Sequence, residues 1–143
     1  MRISTKGRYA LRMMIEFGMN PGQCTKISQV AARQGISDKY LEQIVTILLR
    51  AGYVRSIRGA QGGYMLTRAP EEYTVGMILR QTEGSLAPVS CLDDEVNLCE
   101  RANQCATLNV WTQLKDSIDQ VVDNVTLADL IEEQRRRPND NLL

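Results

Sequence analysis

The stretch YLEQIVTILLRAGYVRSIRGAQGGYMLTR, residues 40–68, changes its hydrophobic period part-way along, and that change decides the fold. Leu41, Ile44, Val45 and Leu48 follow the i, i+3, i+4, i+7 spacing of a helix that buries one face. The opposite stripe, Asp38, Lys39, Glu42, Gln43, Thr46 and Arg50, is polar and suited to hydrogen bonding. Gly52 ends that pattern. Residues 53–57 and 64–67 then read as two strands around a turn containing Gly59, Gly62 and Gly63, a β-hairpin decorated by Arg55, Arg58 and Arg68.

Working outward, Ser37 is placed to cap the helix over 38–52, and Thr25 to cap a shorter one over 26–34 in which Ile27, Val30 and Ala31 share a face. Gly35 turns the chain between them. Upstream, Ser4 precedes a helical pattern over 5–19 carrying Tyr9, Leu11, Met13, Met14, Ile15 and Phe17, broken by Asn20-Pro21-Gly22. Helix, short turn and helix describe any αα-hairpin as well as a helix-turn-helix. A basic-tipped hairpin directly afterwards is what selects the winged form, whose second helix enters the DNA major groove and whose wing arginines reach phosphate or a narrow minor groove. The alternative of a nucleotide loop in RGAQGG is set aside, because GxxxxGK[ST] is absent and the segment leads into a strand, not a helix.

Charge agrees with that reading. The net charge is zero, yet residues 1–68 hold eleven Lys/Arg against three Asp/Glu, and residues 69–143 hold six against fourteen. A basic half is suited to a polyanion, although a solvated surface with no partner has the same composition. The chain is 43% hydrophobic and 24% charged, as in ordinary globular proteins, and no run approaches the roughly 20 apolar residues of a membrane span. The basic start MRISTKGRYA lacks the apolar segment of a secretory signal, so a cytoplasmic protein without a membrane partner is expected. With no histidine, no paired-carboxylate cleft and no nucleophile motif, an enzyme is not expected.

Beyond Ala69-Pro70 the sequence predicts a short helix over 75–82 capped by Thr74, then a loop entered at Pro88. Residues 108–125 form one long helical pattern in which Trp111, Leu114, Ile118, Val121 and Val125 are spaced 3, 4, 3 and 4 apart, a heptad seam. Residues 1–68 already supply a compact unit, so that stripe calls for a partner, and a homodimer is the economical one. Thr126 caps a final helix, and a polar, flexible tail begins at Pro138. The expected fold is mainly α (α+β), divided into a winged helix-turn-helix at 1–70, a short helix and cysteine loop at 71–106, a long dimerisation helix with a terminal helix at 107–137, and the tail at 138–143.

The loop CLDDEVNLCERANQC, residues 91–105, places Cys91, Cys99 and Cys105 together; Cys24 lies apart. Three clustered thiols outside an oxidising compartment point to a metal or redox role. An iron–sulfur cluster suits thiolate donors; zinc usually shows a CxxC pair, absent here; free sensor thiols need a depressed pKa, which Asp93, Asp94, Glu95 and Glu100 oppose. The iron–sulfur cluster ranks first, zinc second and free thiols third. Cys24 reads as a small half-buried apolar residue.

These segments resemble the Rrf2 family of winged-helix transcriptional regulators over nearly the whole chain: MRISTKGRYALRMMIE, YLEQIVTILLRAGYVRSIRGAQGGYMLTR, GMILRQTEGSLAPVSC, and Cys99 and Cys105 before a Trp-bearing helix. The family includes iron–sulfur cluster assembly regulators, nitric-oxide-sensing repressors and cysteine-metabolism repressors. The resemblance implies a homodimer on double-stranded DNA with a pseudo-palindromic operator. It assigns DNA reading to Lys39, Tyr40, Glu42 and Gln43, with Arg58 and Gly59 at the wing tip. Arg2 and Lys6, with Arg8 and Arg12, would add backbone contacts. It also implies a cluster on Cys91, Cys99 and Cys105, 2Fe-2S ahead of 4Fe-4S, because cysteine-metabolism repressors generally lack the triplet. Two departures leave the fourth ligand open. Leu108 stands where proteobacterial assembly regulators carry a ligand histidine, and Arg8 where some nitric-oxide sensors carry an aspartate. The remaining candidates are Asn109, a loop carboxylate, Cys24, a residue of the other subunit, or an exogenous thiol or water. The expected function is a regulator of iron–sulfur cluster assembly genes that senses cluster status, redox state or nitric oxide. The rivals are a cofactor-free regulator of cysteine metabolism and a small iron–sulfur electron-transfer protein.

Overall fold

A computed structural model of the chain describes residues 2–137, and the expected 138–143 tail lies outside the described residues. Helix α1 (Thr5–Gly18) starts at Ser4, whose Oγ accepts from the Gly7 N–H at 3.2 Å. Helices α2 (Ile27–Gln34) and α3 (Asp38–Arg50) follow, and Ser37 Oγ accepts from the Tyr40 N–H at the start of α3. Strands β1 (Val54–Ile57) and β2 (Gly63–Leu66) pair antiparallel, with Val54 opposite Leu66 and Ile57 opposite Gly63. Thr74 caps α4 (Val75–Glu83), accepting from the Met77 N–H at 3.0 Å. Helices α5 (Leu108–Val122) and α6 (Leu127–Arg136) complete a mainly helical winged-helix fold.

One core runs through the two halves of the chain. Met13, Met14 and Phe17 of α1 and Leu41, Ile44, Val45 and Leu48 of α3 pack with Tyr73, Ile78, Leu127 and Ile131. Leu41, Ile44, Val45 and Leu48 are all buried, as their spacing predicts, and each contributes about 1.5–3 kcal/mol of transfer free energy. Helix α6 closes on α1 where Ile131 meets Gly18, a position with no room for a Cβ. Helix α5 is held differently. It has no buried residue and is tied to α4 by Arg80, which pairs with Asp119 at 2.9 Å and with Asp123, while Gly76 lets those side chains come close.

Two expectations are corrected. Thr25 does not cap α2; Lys26 occupies that position, its N–H donating to Gln29 Oε1, and Thr25 instead pairs with Tyr64 as a third-strand bridge beside β2. Backbone pairing to a strand distant in sequence outcompeted a local cap. Val125 is not part of the seam, because α5 ends at Val122 and the Val125 carbonyl accepts from the Val75 N–H at 2.9 Å.

Tyr73 joins these parts. It is fully buried, and its hydroxyl donates to Tyr53 O at 2.8 Å and accepts from the N–H groups of Thr67 and Arg68 at 3.1 and 3.0 Å. Its own carbonyl accepts from the Leu127 N–H at 2.9 Å. Tyr73→Phe leaves those three backbone groups without the hydroxyl, so urea unfolding is expected to show a loss of about 1–3 kcal/mol at unchanged m. A loss below about 0.5 kcal/mol would contradict this role.

Candidate nucleic-acid interface and cysteine loop

The outer face of α3 presents Lys39, Glu42 and Gln43, all exposed, with Arg50 two turns further on. Thr46 bonds back to the Glu42 carbonyl at 2.8 Å, so it acts within the helix. Tyr40 is half-buried, its ring edge-on to Tyr9 of α1 at 5.8 Å, which makes it a seat for α3 on α1 as well as a surface group. The orientation of the helix pair is set from below. Buried Glu16 receives Arg33 Nε at 2.7 Å and Gln34 Nε2 at 2.9 Å, and Arg12 lies over the Tyr9 ring while donating to Gln34 Oε1 at 2.6 Å. Arg12 is thus engaged with α1 and α2, whereas Arg2, Lys6 and Arg8 are exposed around the start of α1.

At the wing, Arg58 and Gly59 are exposed at the tip, and Gly59 takes φ 105, a conformation that a side chain disfavours. The turn is closed by the Gly62 N–H donating to Gly59 O at 3.0 Å. Arg68 sits at the base of the wing, its guanidinium over the rings of Tyr53 and Tyr73 at 5.4 and 5.8 Å, and so is part of the support and not of the tip. One functional link has no local signal in the sequence: Glu83, at the end of α4, accepts from Ser4 Oγ at 2.6 Å and from the Ser4 N–H. Burial alone would raise its carboxyl pKa, but the Ser4 hydrogen bonds outweigh it and hold the group below the ordinary carboxylate value.

The cysteine loop has little regular structure. Cys91 is half-buried in the 3-10 turn Ser90–Leu92, while Cys99 and Cys105 are exposed. Cys91 and Cys99 line one cavity of about 290 Å³ with Asp94, Val96 and Leu98; Cys105 is not on its wall. Among the described residues no three Cys, Asp or Glu side chains converge as a metal site. Cys105 Sγ lies 3.3 Å from Thr107 Oγ1, and hydrogen bonds from the Thr107 side chain and backbone hold its thiol below the ordinary value. The shift at Cys105 comes from these local hydrogen bonds and not from the loop carboxylates. Of the fourth-ligand candidates, Asn109 is exposed and Cys24 half-buried; at the two departures, Leu108 is half-buried and Arg8 exposed. On α5, Val110, Leu114 and Val121 are 56%, 41% and 62% exposed, an apolar stripe beside half-buried Trp111 and Ile118.

A winged-helix protein with basic residues at the wing tip and around the start of α1 is the class that this fold defines. The sequence profile of the Rrf2 family, described as an iron-dependent transcriptional regulator, matches residues 3–133, and the chain belongs to that family. It is 42% identical over 131 residues to the transcriptional regulator CymR of Bacillus subtilis (strain 168), covering 91% of this chain and 89% of that one. It is 34% identical over 132 residues to the regulator IscR of Pectobacterium carotovorum, covering 92% of this chain and 79% of that one. The solved structure of T. potens IscR superposes with a TM-score of 0.77 at 36% identity, over 97% of this chain and 93% of that one. These relatives are transcriptional regulators, and no described helix is long and apolar enough to cross a membrane.

If Gln43 reads a base edge and Arg58 a phosphate or narrow groove, their losses differ in kind. Gln43→Ala should relax preference at one base pair per half-site by about 1–3 kcal/mol. Arg58→Ala should weaken all sequences alike and flatten the dependence of log K on log salt by about one per wing. Anisotropy titrations over a salt series check both.

Proposed function

We propose that the protein is a homodimeric DNA-binding regulator that carries an iron–sulfur cluster on Cys91, Cys99 and Cys105 and controls iron–sulfur cluster assembly genes. The observation that carries this reading is the placement of the thiols. Two of them share a cavity, and the third lies three residues before α5, the helix with an uncovered apolar stripe. Three thiolates match the softness that iron–sulfur clusters take. No residue of 93–107 belongs to the buried core, so bringing Cys105 to the other two displaces no packed core. The 2Fe-2S form is proposed ahead of 4Fe-4S, with the fourth ligand unassigned.

When bound, such a cluster supplies a centre that iron limitation, oxygen or nitric oxide can remove. The chain's own residues do the rest. Thiolates gathered on one centre fix residues 91–105 against the start of α5. With the stripe of Val110, Leu114 and Val121 buried against a second copy, the position of α5 sets the spacing of the two α3 helices on a pseudo-palindromic operator. Lys39, Tyr40, Glu42 and Gln43 then face base edges, Arg58 and Gly59 the groove beside them, and Arg2 and Lys6 the backbone.

The 42% identity to CymR favours a second reading, a cofactor-free regulator of cysteine metabolism that responds to a partner or small molecule. Anaerobic purification followed by visible absorption with iron and sulfide analysis separates the two. Brown wild-type protein, with colour and iron lost in each of Cys91→Ala, Cys99→Ala and Cys105→Ala but retained in Cys24→Ala, is the expected result. Colourless, iron-free wild-type protein that still binds operator would contradict the cluster, and the same protein free of zinc as well would favour the second reading.

A further inference from the structure

We infer that Lys26 is a positioning residue for DNA binding, which holds the wing tip through the carbonyl of Ala60 and does not itself touch DNA. The inference rests on the proposed role of Arg58 and Gly59 at that tip. Four-residue strands form a ribbon too short to be rigid by itself. Only Val54 of β1 is buried; Arg55, Ser56 and Ile57 are exposed, so the outer half of the wing has no anchor in the core. Something else must determine where the tip stands relative to α3.

The segment before α2 supplies that support. Thr25 and Tyr64 exchange backbone hydrogen bonds at 3.0 and 2.9 Å, Tyr64 stacks on Phe17 at 6.2 Å, and Gly63 lies so close that a Cβ there would stand 2.6 Å from Thr25 O. These contacts fix the first residues of β2 but stop short of the 58–62 turn. Lys26, the next residue, spans the gap: its Nζ donates to Ala60 O at 2.8 Å. As the N-cap of α2 it has extended backbone angles, φ −83 and ψ 145, and its N–H is held by Gln29 Oε1, so the base of the lysine stem is fixed. The result is a clasp from the rigid helix pair to the turn that carries Arg58. A tip held before DNA arrives loses less freedom on binding than a swinging one.

A lysine near DNA also invites the simpler role of a phosphate contact, and a double-mutant cycle tells the two apart. The probe is a fluorescent duplex carrying the sequence that the wild-type full-length protein selects from random DNA. Lys26→Met, Arg58→Ala and the double variant are titrated at one salt concentration, and amide hydrogen exchange of residues 58–62 is followed in the free proteins. Losing the clasp is expected to weaken binding about three- to tenfold, in line with one net hydrogen bond. It should cost nothing further in the Arg58→Ala background, and exchange in the turn should become faster. Independent, multiplying losses with unchanged exchange would make Lys26 a DNA contact and overturn the inference, as would wild-type affinity in Lys26→Met. If Arg58→Ala itself binds as wild type does, the assignment of the wing tip fails, and the role of Lys26 fails with it.

Discussion

The buried hydroxyl of Tyr73 is the point at which the reading head is joined to the rest of the molecule. One oxygen satisfies the carbonyl of Tyr53 and the N–H groups of Thr67 and Arg68, the two ends of the wing, while the carbonyl of the same residue receives the first N–H of α6. Buried backbone groups without partners are costly, so the base of the wing has one low-energy arrangement. Tyr53 and Tyr73 meet edge to face at 5.7 Å, and Arg68 covers both rings, which shields the network from water. Because α6 also packs on α1 through Ile131 and Gly18, the wing, the first helix and the chain beyond residue 70 share one core.

Against that rigid part, α5 and the cysteine loop are lightly held. Their attachment includes the ion pairs of Arg80 on α4 with Asp119 of α5 and with Asp123 at its end, and the turn at Ser90–Leu92, and α5 contributes no buried side chain. Partly exposed ion pairs contribute modestly, so this attachment can shift at small cost while the core remains intact. Two features connect the loosely held part to the reader. Glu83 clasps Ser4 at the start of α1, seven residues before the Ser90–Leu92 turn, and Pro88 with Ile118 lines a cavity beside that clasp together with Arg2 and Ile3. A change in the loop thus has a short physical route to a helix that, as proposed, lies along the DNA backbone.

The parts legible in the sequence were those whose physics is local. The buried face of α3, the caps Ser4, Ser37 and Thr74, and the glycine-rich wing each depend on residues within a few positions of one another, and each stands as the spacing predicts. Thr25 was misread because a threonine before a helix suits a cap equally well, and its actual partner, Tyr64, lies far along the chain. Val125 keeps the heptad spacing but lies three residues beyond the end of α5, its carbonyl taken by Val75. Tyr73, Glu83 and Lys26 leave no periodic trace, since each acts through backbone groups of a different element. In the loop, the residue types announce a soft-metal chemistry, but an aperiodic segment gives no spacing rule for which thiols meet. The fold brings Cys91 and Cys99 to one cavity and leaves Cys105 at the start of α5.

In the proposed mechanism the state of residues 91–105 is felt at the DNA-reading surface. Its most direct test is the operator affinity and sequence preference of wild-type protein prepared anaerobically with iron and sulfide, compared with the same protein stripped of iron, at one fixed salt concentration. The account predicts that the two forms differ in affinity or in the operator they prefer. Equal affinities with equal preference, in protein shown by analysis to have gained and lost its iron, would contradict it.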